Sequence, residues 1–123
     1  MPTAADDTLA QRAERLATKL TALVRLVQER EGADLVHVSS DEICRAMGKP
    51  QGATLHEVKQ FVQLVLEHLQ GRGSEAACGC GLLSLQVGRT GFMDRAVAED
   101  RDLTTFVPDD IESYLLSEQE GAG

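Results

Sequence analysis

At 123 residues, 42 % of them hydrophobic and only 3 % aromatic, the chain has the length of one domain and enough apolar side chains for one core, which excludes wholesale disorder. Its formal charge of −8 is unevenly spread: Met1 to Met93 carries 10 basic and 11 acidic residues, a net of −1, whereas Asp94 to Gly123 carries 2 and 9, a net of −7. The body is thus nearly neutral toward a phosphate backbone, no stretch approaches the ~18–20 apolar residues of a membrane span, and Phe61, Phe92, Phe106 and Tyr114 are too few to build the stacking surfaces of single-strand binders.

The first helix is expected from Leu9 to Glu31. Thr8 and Gln11 open it as a reciprocal cap, and Gly32 closes it in the left-handed region. Leu9, Ala13, Leu16, Leu20, Leu23 and Val27 are spaced four and three alternately, a heptad stripe. Two uses of that stripe stand side by side. It is either a core face, or a dimerisation face formed by Leu9, Leu16, Leu20, Leu23 and Val27, since a helix of about 23 residues spans roughly 35 Å.

Leu35 to Val38 reads as a short strand. Ser39 and Glu42 then mark a second helix, Ser40 to Met47, stopped by Gly48 with Pro50 beyond it. Thr54 and Glu57 open a third, Leu55 to Gln70, ending at Gly71. Its apolar residues cover much of its circumference and leave a narrow polar stripe of His56, Lys59, Gln60, Gln63 and Glu67, the pattern of a central core helix. Gly71 to Ser74 reads as a turn. The segment from Cys80, alternating from Leu83 to Val87, reads as a strand, and Gly88 to Gly91 as the turn of a hairpin. Phe92-Met93 begins either the return strand or a short helix through Ala98. Leu103 to Val107 is β-prone and is halted by Pro108. Asp109 and Glu112 mark a last helix, from Asp110 to about Ser117.

The expected architecture is α+β and mostly helical, with a long N-terminal helix, a small β-hairpin and a short C-terminal helix. Residues 1–8 are expected as a flexible N-terminus, 9–117 as one domain and 118–123 as a frayed acidic tail. Met1 to Asp7 lacks the basic-then-apolar order of a secretory signal, and three cysteines cannot pair completely within one chain. Both features place the expected location in the cytoplasm.

Cys78-Gly79-Cys80 is the one grouping with metal or redox character. On an extended segment its two sulfurs face one side, within reach of one soft ion. The competing reading is a glycine-marked bend with the thiols packed beneath it, because free cysteine is commonly a buried space-filler. His56 and His68 lie three helical turns apart, too far to share an ion. No GxSxG elbow, GxxxxGK[ST] loop or HExxH pair is present, and Glu99, Asp100 and Asp102 read as a solvated run. Neither an enzyme nor a cofactor is expected.

Helix, short strand, short helix, turn, longer helix and a glycine-bounded strand pair follow in that order from Leu9 to about Val107. This order resembles a winged-helix domain, with Ser39 to Gly48 similar to the first helix of a helix-turn-helix. The resemblance implies that the helix from Leu55 enters the major groove of duplex DNA by its N-terminal residues. Thr54, His56, Lys59, Gln60 and Gln63 would then meet the groove, and Lys49, Arg72 and Arg89 the phosphates. It implies a transcriptional regulator. The alternatives are an acidic protein–protein adaptor, docking a basic partner through the exposed side of its first helix and its final segment, and a thiol- or metal-responsive version of either through Cys78 and Cys80.

Overall fold

A computed structural model of the chain describes residues 8–49, 51–78 and 85–122, with the side chains of 77–78 and 118–122 excepted. The fold is α+β and mostly helical: α1 (Leu9–Arg30), β1 (Leu35–Val38), α2 (Ser40–Met47), α3 (Leu55–Gln70), β2 (Ser74–Cys78), β3 (Leu85–Arg89), α4 (Phe92–Glu99), β4 (Thr105–Phe106) and α5 (Ile111–Ala122).

The helix ends follow from side-chain chemistry. At Thr8 the hydroxyl accepts the Gln11 backbone N–H at 3.1 Å, and the Gln11 side chain accepts the Thr8 N–H at 3.1 Å, so two orphan donors are satisfied at once. Thr54 and Glu57 repeat the device at α3, with bonds of 3.2 and 2.9 Å. Ser39 caps α2 with only half of it. Its hydroxyl accepts the Glu42 N–H at 3.3 Å, while the Glu42 carboxylate is held by Arg45. Gly48 closes α2 at φ +84°, a conformation that a side chain would strain.

The fourth helix start falls one residue later than expected. Asp110, not Asp109, caps α5, its Oδ1 accepting the Ser113 N–H at 3.0 Å. The helix also runs on to Ala122, beyond the frayed end expected at Ser117.

The four strands form one mixed sheet in the order β2-β3-β1-β4. β3 lies antiparallel to both β2 and β1, pairing Leu85 with Cys78 on one side and with Val38 on the other. β4 joins β1 in parallel through two residues, Leu35 facing Thr105 and Val36 facing Phe106.

The hairpin differs from the expected one. Its first strand is Ser74–Cys78, upstream of the strand expected from Cys80, and Gly88 and Arg89, expected in the turn, belong to its second strand; residues 79–84 lie outside the described residues. Glu75, Ala76 and Ala77 have weak strand preference. Tertiary pairing with β3 and the burial of Ser74 override it. Phe92 accordingly opens the helix rather than a return strand. Gly91, at φ +81°, turns the chain into α4, and the Glu75 carboxylate fixes the corner by accepting the Gly91 N–H at 2.9 Å.

Strand alternation sorts the sheet into two faces. Val36, Val38, Leu85 and Val87 join the main core with α1, α3 and Ile43 and Met47 of α2. From α1 come Ala13, Leu16, Ala17, Leu20, Leu23, Val24 and Val27; from α3, Val58, Phe61, Val62, Val65 and Leu69. Ile111 closes one end of it. Gly88, paired with Leu35, belongs to the opposite face, and there the Phe92 ring approaches so closely that a Cβ on Gly88 would lie 2.8 Å from it.

Candidate functional site

Two α-helical segments of unequal length, α2 and α3, precede the hairpin, and what they leave exposed is the outward stripe of α3. Val58, Phe61, Val62, Val65 and Leu69 point into the core. Helical spacing therefore turns His56, Lys59, Gln60 and Gln63 outward, and all four are exposed. With Leu9 at the start of α1 and Leu64 on α3 they line one open groove of about 640 Å³. No carboxylate lines it.

Thr54 sits at the head of this groove-bearing helix, but its hydroxyl is engaged. It accepts the Glu57 N–H at 3.2 Å and donates to Glu57 Oε1 at 3.2 Å. Lys49 stands nearby on the α2–α3 turn and pairs with the same carboxylate, Nζ to Oε2 at 2.6 Å. Held by Lys49 first and by the Thr54 backbone N–H second, the Glu57 carboxyl titrates well below the usual range, at about 2. A fixed negative charge therefore stands beside the first turn of α3 at neutral pH.

Arg72 and Arg89 are not part of this group. They lie where α3 gives way to the sheet, and a helix of that length separates them from Thr54 by roughly 25 Å. Arg89 is opposite Ser74 at the root of the hairpin and is exposed. Arg72 reaches Glu14 of α1 at 3.6 Å and donates to the His68 carbonyl oxygen at 3.2 Å. The eight candidates thus divide into six around the first half of α3 and two at its far end.

Two residues of α1 reach the neighbourhood of α3, one in the groove and one beside the α2–α3 turn. Leu9 was assigned to the α1 stripe, yet it lies beside α3. Arg12, one turn on, brings its guanidinium to the α2–α3 turn, where a Cβ on Gly48 would meet its carbon at 2.8 Å. The signal available was the i, i+3 spacing of Leu9 and Arg12, which puts both on neighbouring positions of one helix. What it could not tell was which helix lay alongside.

The remaining stripe on α1 is consumed internally. Leu16, Leu20, Leu23 and Val27 are all buried within this one chain, against α3 and the sheet, which is the core reading of the heptad pattern. A second copy would reach them only by opening that core; of the five residues named for dimerisation, Leu9 alone remains partly exposed.

Cys78 ends β2, opposite Leu85, but its side chain and all of Cys80 lie outside the described residues. Cys44 is a half-buried free thiol on α2. Among the described residues no three His, Cys, Asp or Glu side chains gather closely enough to hold a metal ion. Among them, too, no helix is long and apolar enough to cross a membrane. No protein-family model, no curated protein and no solved structure matches this chain.

Proposed function

We propose that this chain is a non-enzymatic regulator of winged-helix type that binds double-stranded DNA in the cytoplasm through the first half of α3. The observation that carries the reading is the groove lined by His56, Lys59, Gln60 and Gln63, into which no carboxylate projects, presented by the helix that follows α2 and precedes the hairpin. The antiparallel order β2-β3-β1 supports it, since a hairpin whose second strand pairs back to the strand before α2 is the arrangement expected of a wing. Amide side chains are suited to adenine edges in the major groove, and Lys59 to guanine or phosphate. Lys49 and Arg12 stand beside the head of α3, where a phosphate would compete with Glu57 for the Lys49 ammonium.

Fluorescence anisotropy with a pool of random-sequence duplexes tests this. With about three cations in play, affinity is expected to fall with a log–log salt slope of roughly −2 to −3. Lys59→Ala is expected to reduce that slope by about one on any sequence. Absence of duplex binding at 20–50 mM salt, about the lower end of the range in which such contacts are strongest, removes the reading.

A second reading has its own observation. Glu57 already engages Lys49 beside the groove, and Leu9 and Leu64 give it an apolar floor. An adaptor that seats a protein partner in this groove would make use of both. Amide shift changes at Leu9 and Leu64 on adding that partner, with no response to duplex DNA, would favour it.

A further inference from the structure

Two of the large apolar side chains most open to solvent sit together on α4. On α4, Met93 is 48 % exposed and Val97 81 % exposed, and they lie four residues apart on one face. Ala96, Met93 and Val97 form one wall of a groove of about 440 Å³, and Leu103 with Asp100, Arg101 and Asp102 forms the other. A stripe of this kind on a short helix whose inner face already holds Phe92 and Ala96 is more apolar than solvation requires.

Carboxylates outnumber cations around it, Asp94, Glu99, Asp100 and Asp102 against Arg95 and Arg101. Arg101 is consumed by Asp34 at 2.9 Å and by Glu99 at 2.7 Å. Arg95 donates to the Thr90 carbonyl oxygen at 2.9 Å. Asp94, Asp100 and Asp102, by contrast, are exposed and enter no ion pair among the described residues. The rim therefore presents uncompensated carboxylates around an apolar floor.

We propose that this α4 face is a docking site for a basic amphipathic segment of a partner protein, whose apolar side chains cover Met93 and Val97 while its Lys or Arg residues meet Asp94, Asp100 and Asp102. The complementarity excludes an anionic occupant, whether nucleic acid or an acidic lipid surface, because like charge would be brought together in a partly desolvated groove. The site is independent of the α3 groove and goes beyond the function proposed for it.

The full chain, isotopically labelled, is titrated with a synthetic amphipathic helical peptide of Leu and Lys, with a scrambled peptide of the same composition as control. Saturable amide shifts confined to Met93–Leu103 are expected with the first and not with the second. Val97→Ser, at a position too exposed to disturb the fold, is expected to weaken binding about tenfold. Joint Asp100→Asn and Asp102→Asn replacement is expected to weaken it several-fold and to flatten its salt dependence, whereas Lys59→Ala leaves it unchanged. Equal binding of the scrambled peptide, shifts centred on α5 instead, or indifference to Val97→Ser would each overturn the proposal. So would sedimentation showing that a second copy of the chain occupies the face.

Discussion

At the scale of single residues, Glu57 and Gly88 have the sharpest consequences. Glu57 is depressed to about 2 from an ordinary value of 4.5, chiefly by its hydrogen bond from Lys49. A carboxyl whose folded value lies below its unfolded one stabilises the fold fully above the unfolded value and loses that contribution as pH falls through the folded one. The cap on α3 is therefore expected to hold unchanged down to about pH 4.5 and to weaken between there and about pH 2. Following the Glu57 side-chain carboxyl by NMR checks this, and a midpoint near 4.5 would contradict it. Lys49→Ala should raise that midpoint, since it removes the largest cause. Gly88 makes a different demand: a Cβ would meet the Phe92 ring at 2.8 Å and the Asp34 carbonyl oxygen at 3.1 Å. The ring is buried and the oxygen is backbone, so neither can swing aside. Gly88→Ala is expected to destabilise the chain by about 1–3 kcal/mol, read from the denaturant midpoint, and an unchanged midpoint would show that α4 is loosely attached.

Among elements, the helices were largely legible and the sheet only partly. The bounds of β1, α2 and α3 follow directly from Ser39, Gly48, Thr54 and Gly71, because caps and stops are local chemistry that needs no partner. β2 was not legible. Glu75-Ala76-Ala77 carries no alternation, and its strand state depends on pairing with β3, a non-local contact. β4 falls inside the β-prone Leu103 to Val107, but only two of those residues pair, where Asp34 ties the preceding loop to β1. Its carboxylate accepts the Thr104 N–H at 2.9 Å and the Arg101 guanidinium at 2.9 and 3.0 Å. Of the candidate site, the α3 stripe was legible from helical period alone, whereas the separation of Arg72 and Arg89 from it was not, since only the fold fixes where a hairpin's root falls. α3 itself should behave as the central element. Phe61 is fully buried between α1 and the sheet, so Phe61→Ala is expected to cost about 3–5 kcal/mol. Gln60→Ala, one residue away on the exposed stripe, should change stability by less than about 0.5 kcal/mol. That contrast, measured by urea unfolding, separates a surface residue from a folding one on the same helix.

For the molecule as a whole, the question is whether the acidic end is an appendage or part of the domain. Composition favours an appendage, because the surplus charge is concentrated there. The packing argues otherwise. Ile111 is buried in the main core, and Phe106, Tyr114 and Leu115 pack against it. The Tyr114 hydroxyl donates to Glu31 at 3.2 Å, its ring lies 5.1 Å from that of Phe106, and Lys19 reaches Glu112 at 3.0 Å. The exposed pair contributes little, roughly 0–1 kcal/mol, so the anchor is apolar rather than ionic. It follows that removing residues 109–123 exposes the end of α1 and opens the core, which confounds any truncation meant to test partner binding through the acidic segment. Ile111→Ala is expected to cost about 2–5 kcal/mol, most of what the truncation costs, whereas Glu112→Gln should cost almost nothing. If instead the truncated chain unfolded at the same urea concentration as the full one, α5 would be an add-on, and the acidic segment would be free to act as a separate docking arm.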